Sequence, residues 1–322
     1  MVLDLNDVVV QGKVHNFSTI DLVGNGHNTL KLGLSDVQSL SGATDDSNTV
    51  GVNEAQMLVV KGNDGDAVVL GNTASWSQLV GLKGEDLTAL YGAAHGFVTR
   101  HTYSQYTQGG ATLFVDELTA VADLVGTVGA DVLTGTASAD VIFGNGGADT
   151  LDGGDGHDKI ILNSRVIADL GGSVNVDIDG GEGVNTLSVV GRNLTFDLTN
   201  ATVFSKVDNF NILDMRQGGG NEIKISLQQV LNLSNSVDNV ATALDESQML
   251  VVQGHGDASN MVNKLVLVDT TSWSQGTTIL GGTAMAGTYG AEYGFEVGHS
   301  YVQYTNGAVN LFVDQSIIQP VL

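Results

Sequence analysis

Cysteine is absent from the sequence, and proline occurs once, at Pro320. The first absence excludes disulfide staples, thiolate zinc sites and a cysteine nucleophile. A chain of 322 residues must then hold together by packing or by some other staple. The second excludes proline-rich linkers and a collagen-like repeat. Positive charge is also scarce, with 12 Lys and Arg against 36 Asp and Glu and a formal charge of −24. Such a surface repels nucleic-acid phosphates and anionic lipid, which argues against both as partners. No apolar run reaches the length of a membrane span, so membrane insertion is not expected. The opening MVLDLNDVVVQGK lacks the basic-then-apolar layout of a cleaved signal peptide.

What the chain has in quantity is glycine, 43 residues, and aspartate, which outnumbers glutamate 28 to 8. Glycine without proline points to tight turns that need positive φ. Aspartate is short and suits a carboxylate held beside a turn, where it can bind a hard cation. Apolar residues at 42% are enough for a sizeable core. The regular runs are short, β-branched and alternating, as in LVLV and TLFVD, and read as strands.

An internal duplication organises the chain. The stretch from Leu3, LDLNDVVVQGKVHNFSTIDLVGNGHNTLKLGLSDVQSL, aligns without a gap to FDLTNATVFSKVDNFNILDMRQGGGNEIKISLQQVLNL from Phe196. Shared positions include Asp4/Asp197, Lys13/Lys206, Phe17/Phe210, Asp21/Asp214 and Asn28/Asn221. Further anchors follow: EAQMLVVKG with ESQMLVVQG, TASWSQ with TTSWSQ, and HTYSQYTQGGATLFVD with HSYVQYTNGAVNLFVD. The copies are placed at 1–121 and 165–322, each β-rich with a short helix, over SDVQSL in one and LQQVLNL in the other. The recurring Trp76/Trp273 and the tyrosines Tyr103/Tyr106 and Tyr301/Tyr304 are expected in the core. The second copy has a lead-in, DIDGGEGVNTLSVVG, that the first lacks, which suggests a fragment of something larger.

Between the copies, at 122–164, lies a different segment. Residues 126–161 divide into four nonads: GTVGADVLT, GTASADVIF, GNGGADTLD and GGDGHDKII. Position 1 is Gly126, Gly135, Gly144 or Gly153; position 6 is Asp131, Asp140, Asp149 or Asp158; position 8 is Leu133, Ile142, Leu151 or Ile160. A strand of about three residues points position 8 inward, and a glycine-rich turn reverses the chain. Two nonads then make one coil of a parallel β-roll. Asp131 and Asp149 fall on one edge and Asp140 and Asp158 on the other. A cation between adjacent turns would gather about six oxygens, from these carboxylates and from backbone carbonyls around Gly144, Gly146, Gly153 and Asp155, and that is calcium chemistry. Looser turns with asparagine at the same place, at Asn28, Asn185 and Asn221, are secondary candidates, read first as dry structural turns.

The nonads resemble the RTX (repeats-in-toxin) family, whose repeat is GGxGxDxUx. They depart from it at Thr127, Thr136 and Ser138, each replacing a glycine. The flanking modules, with GxGxN, a short SDV helix, LVVxG, a tryptophan and a closing YxxYxxxxxxLFVD, are similar to modules near the C-terminal end of large RTX adhesins. The resemblance implies an extracellular, cell-surface protein exported by type I secretion, which binds several calcium ions, folds on binding them, and serves attachment to surfaces and biofilm. Segment 126–161 is expected to be ordered only with calcium.

Catalysis finds no support in the motifs. There is no HExxH pair and no GxSxG elbow. His101 and His299 recur in equivalent places before YxQYT and read as turn-bonding residues, so no enzyme is expected. The alternatives are a ligand-binding module of an adhesin, recognising sugar, peptide or ice, or the calcium-binding tail of a secreted toxin or hydrolase. The fold expected is all-β, a calcium-binding parallel roll between two duplicated modules.

Overall fold

The computed structural model describes all residues except 7–13, 15, 25, 41–51, 235–245, 255–261 and 321–322. Lys13, the counterpart of Lys206, lies outside the described residues. Two compact units divide the chain at Met1–Val125 and Gly126–Leu322. Strands predominate in both, joined by six short helices among the described residues.

In the second unit the nonads form two parallel ladders. Val132–Thr134 pairs with Thr150–Asp152, with Leu133 opposite Leu151. Val141–Phe143 pairs with Lys159–Leu162, with Ile142 opposite Ile160. Alternate nonads thus belong to alternate sheets, as a two-nonad coil requires. Ile142, Leu151 and Ile160 are buried, because the short strand aims position 8 at the space between the sheets.

Parallel pairing, expected of the nonads alone, continues beyond them. Thr150–Asp152 hands on to Asp177–Asp179, and Lys159–Leu162 to Thr186–Val189, Ile212–Asp214, Met249–Gln253 and Val309–Asp314. The last strand turns into an antiparallel pair with Ser300–Asn306, which pairs in turn with Ser274–Gly281. The first unit repeats this ending. Thr19–Asp21, Met57–Lys61 and Ala111–Asp116 run parallel, and Thr102–Gln108 and Ser77–Lys83 close the sheet antiparallel. The duplication is therefore one of architecture.

The recurring aromatics are core. Trp76, Trp273, Tyr103, Tyr106, Tyr301 and Tyr304 are all buried. Phe97 meets Tyr103 edge-on at 5.2 Å, and Phe295 meets Tyr301 at 5.1 Å, a packing preferred by ring quadrupoles. The helices Leu34–Leu40 and Leu227–Leu233 fall where the sequence places them. A third, Ser164–Gly171, was not foreseen; Asn163 caps it by accepting the Val166 amide at 3.0 Å, and Val166 and Leu170 bury one face.

Candidate metal centre

The turns that precede the nonad strands stack closely. Gly147 has φ of +122°, and a Cβ there would lie 2.1 Å from Gly129 O in the turn one coil before. Side-chain-free turns let adjacent carbonyls and carboxylates crowd into one narrow gap. Asp149 on this edge, and Asp158 in the matching gap of the other edge, are buried, at 2% and 1% exposure. Asp131 and Asp140 are half-buried.

The position-6 carboxylates of the third and fourth nonads are tied to the coil before them. Asp149 Oδ1 accepts the Asp131 amide at 3.0 Å, and Asp158 Oδ1 accepts the Asp140 amide at 2.8 Å. The second oxygens differ. Asp131 Oδ2 accepts the amide and hydroxyl of Thr127 at 2.7 and 2.8 Å, and Asp140 Oδ2 those of Thr136 at 2.6 and 2.8 Å. The threonines that depart from the repeat thus supply donors of their own. Asp158 Oδ2 is buried with no hydrogen-bond partner. A buried carboxylate oxygen without a donor is costly unless it binds a proton or a cation.

Electrostatics agree with the geometry. Burial pushes the Asp158 carboxyl up to about 6, against the Asp140 amide bond, and the carboxylates of Asp140, Asp152 and Asp155 push the same way. Asp149 is likewise pushed to about 6, by burial first and by Asp131 and Asp169 after it, against the Asp131 amide bond and Arg165. Among the described residues no three His, Cys, Asp or Glu side chains gather to hold an ion. An ion here must therefore draw most of its oxygens from the turns. The donor set is oxygen throughout, which fits calcium and not zinc.

The expected carbonyl donors have distinct settings. A Cβ at Gly126 would meet Gly144 O at 2.6 Å, and one at Gly135 would meet Gly153 O at 2.1 Å, so both carbonyls face the gap of the preceding turn. Gly146 is overlain by Arg165, whose Cδ would stand 2.4 Å from a Cβ there. Asp155 is exposed and bridges through its backbone to Glu182.

The asparagine turns are committed to backbone. Asn185 Oδ1 accepts the Asp158 amide at 2.9 Å, and its Nδ2 donates to Gly181 O at 3.1 Å and Asn209 O at 3.2 Å. Asn221 Oδ1 accepts the Leu194 amide and its Nδ2 donates to Gly191 O, both at 3.0 Å. Asn28 Nδ2 donates to Leu22 O at 2.8 Å.

Sequence reasoning missed two residues of the unforeseen helix. Asp169 Oδ2 accepts the Gly147 amide at 2.8 Å, and Arg165 reaches Val128 O at 3.3 Å. Both lie against the edge that carries Asp131 and Asp149. The signal available was the apolar pair Val166 and Leu170 behind an asparagine cap.

Residues 125–160 match the family model for the RTX calcium-binding nonapeptide repeat, in four copies. No curated protein and no solved structure matches the chain. The matched repeats bind calcium ions. No helix among the described residues is long and apolar enough to cross a membrane.

Proposed function

We propose that this chain is a calcium-ordered structural region of a secreted RTX adhesin, acting outside the cell at the bacterial surface, and that it is not a catalyst. The observation that carries the reading is the burial of Asp149 and Asp158 beside stacked glycine turns, at 2% and 1% exposure. Asp131, Asp140, Asp149 and Asp158 are the side chains assigned to calcium, together with carbonyls of Gly144 and Gly153. Calcium supplies there the positive charge that lets buried carboxylates stay ionised. The protein's own part is to hold the coil. Position-8 residues bury the inner face, and the Oδ1–amide bonds fix each turn against the one before.

Support for the adhesin assignment comes from the two duplicated modules around the repeats. A non-catalytic role is favoured by His101 and His299, each bonded through Nδ1 to the aspartate that ends its LFVD strand, Asp116 and Asp314. A duplicated histidine tied to a duplicated core aspartate suits a structural clamp.

The test is a far-UV circular dichroism titration of the whole chain with calcium, from a chelator and with magnesium as control. A gain of β signal with calcium but not magnesium supports the reading. Full signal in chelator, unchanged by calcium, contradicts it. Surface attachment of cells displaying the chain, with and without calcium, tests the adhesin role separately, and a glycan or peptide array would reveal a specific ligand.

A further inference from the structure

The edge that carries Asp140 and Asp158 continues past the four repeats. Its next turn is Gly180–Asn185, which lies beyond the matched residues 125–160 and is separated from them by the helix Ser164–Gly171. Three consecutive turns on this edge place a side-chain atom in the same slot, and each meets a different partner.

At Asp140 the slot holds Oδ2, and a Cβ on Gly135 would lie 3.0 Å from it and 2.1 Å from Gly153 O of the next turn. Thr136 there donates both its amide and its hydroxyl to that oxygen. At Asn185 the slot holds Nδ2, and a Cβ on Gly180 would lie 3.0 Å from it and 2.1 Å from Asn209 O. The asparagine amide donates to Gly181 O of its own turn and to Asn209 O of the next. At Asp158, between them, a Cβ on Gly153 would lie 2.7 Å from Oδ2 and 2.2 Å from Gly180 O. Here Oδ2 faces a carbonyl, not a donor. Gly154 has no hydroxyl to offer, and its amide is given to Asp152 Oδ1 at 3.0 Å. Asp158 Oδ2 is left buried and unpartnered.

Where the neighbouring turn places an –NH2 between two carbonyls, this one places an oxygen. An oxygen among oxygens needs positive charge between them. We infer that a calcium ion is held between the turns Gly153–Asp158 and Gly180–Asn185, with Asp158 Oδ2 and Gly180 O among its ligands, and that it staples the last repeat to the module that follows. One coil later the Asn185 amide fills the slot, so the calcium-dependent part of this edge ends there.

This rests on the calcium reading of the repeats, and the experiment separates the two. Calcium alone is counted on the whole chain at pH 7.4 by equilibrium dialysis and elemental analysis, for the wild type, Asp158→Asn and Asn185→Asp. Asp158→Asn installs the amide seen one coil on. It should bind one ion fewer than the wild type and should melt higher than the wild type in chelator. Asn185→Asp creates a second unpartnered oxygen and should bind one ion more. It also reports on the slot if Asp158→Asn fails to fold. An unchanged count in Asp158→Asn, a loss of more than one ion, or no gain in folded Asn185→Asp overturns the junction site. A wild type that binds no calcium would sink the reading of the repeats themselves.

Discussion

Asp149 Oδ1 accepts the amide hydrogen of Asp131 at 3.0 Å, from a residue 18 positions earlier in the chain. One side chain therefore serves two coils: an oxygen fixes the turn before it, and under the proposed function the carboxylate charge is offered to calcium. Asp149→Ala removes both. The loss of a buried hydrogen bond to a charged group should cost about 1.5–3 kcal/mol. Calorimetric titration with calcium should show a weaker midpoint and a smaller enthalpy. Unchanged binding would place calcium elsewhere.

The raised carboxyls fix the direction of a pH effect. Asp149 and Asp158 sit at about 6 against an ordinary 3.8. A raised folded value means that the protonated form favours folding. In chelator that stabilisation is full below 3.8 and is lost as pH rises through about 6. Calcium must displace those protons, so its apparent affinity should rise over the same window. Denaturant midpoints in chelator and calcium titrations, taken across pH 4 to 8, would show opposite trends. Parallel trends would contradict the burial of these carboxylates.

Asp214 is the counterpart of Asp21 but has gained a denser setting. Lys159, from the fourth nonad, approaches Asp214 Oδ2 at 3.2 Å, and Arg216 approaches Oδ1 at 2.9 Å. Burial alone would raise this carboxyl, but Arg216 and Lys159 outweigh it and hold it well below the usual carboxylate range. Asp214→Ala would leave the largely buried Lys159 ammonium without its ion-pair partner and Arg216 with Glu296 alone, and should cost about 3–5 kcal/mol. Chemical denaturation in saturating calcium measures it. A cost below 1 kcal/mol would contradict the account.

Lys206 ends a helix. Its Nζ donates to Val174 O at 2.8 Å, Leu170 O at 2.9 Å and Gly172 O at 3.1 Å, the chain leaving the helix Ser164–Gly171. Cations favour helix C-termini and satisfy carbonyls that have no intrahelical partner. Lys206→Met keeps the aliphatic stem and removes the donors. It should cost about 1–3 kcal/mol and loosen that helix. Hydrogen exchange of the amides at Ile167 and Gly172 would report it, and unchanged exchange would contradict it.

The nonads were legible because their period is strict: glycine at position 1, aspartate at position 6 and Leu or Ile at position 8 each answer one local requirement. The pairing of alternate nonads follows from that period, and Ile142 opposite Ile160 shows it. The parallel ladders of the flanking modules were not legible. Their coils differ in length: the step from an amide to the side chain that accepts it one coil on spans 18 residues from Asp140 to Asp158, but 27 from Asp158 to Asn185 and 26 from Asn185 to Asn211. The different settings of the four aspartates were also hidden, because they depend on threonine hydroxyls and on Arg165 and Asp169 arriving from a helix. Want of charge already marks the asparagines as dry turns, and Asn185 has a positive reason as well: its amide takes the slot between two carbonyls.

Under the proposed function, the repeat segment holds its coil through calcium. The most direct measurement is residue-resolved hydrogen exchange on the whole chain, in millimolar calcium and in chelator, read at the interturn amides of Asp131, Asp140 and Asp158. Strong protection of these amides is expected with calcium and its loss in chelator, while Val251 and Tyr301 in the second unit's core stay protected in both. Equal protection of the three aspartate amides with and without calcium would contradict it.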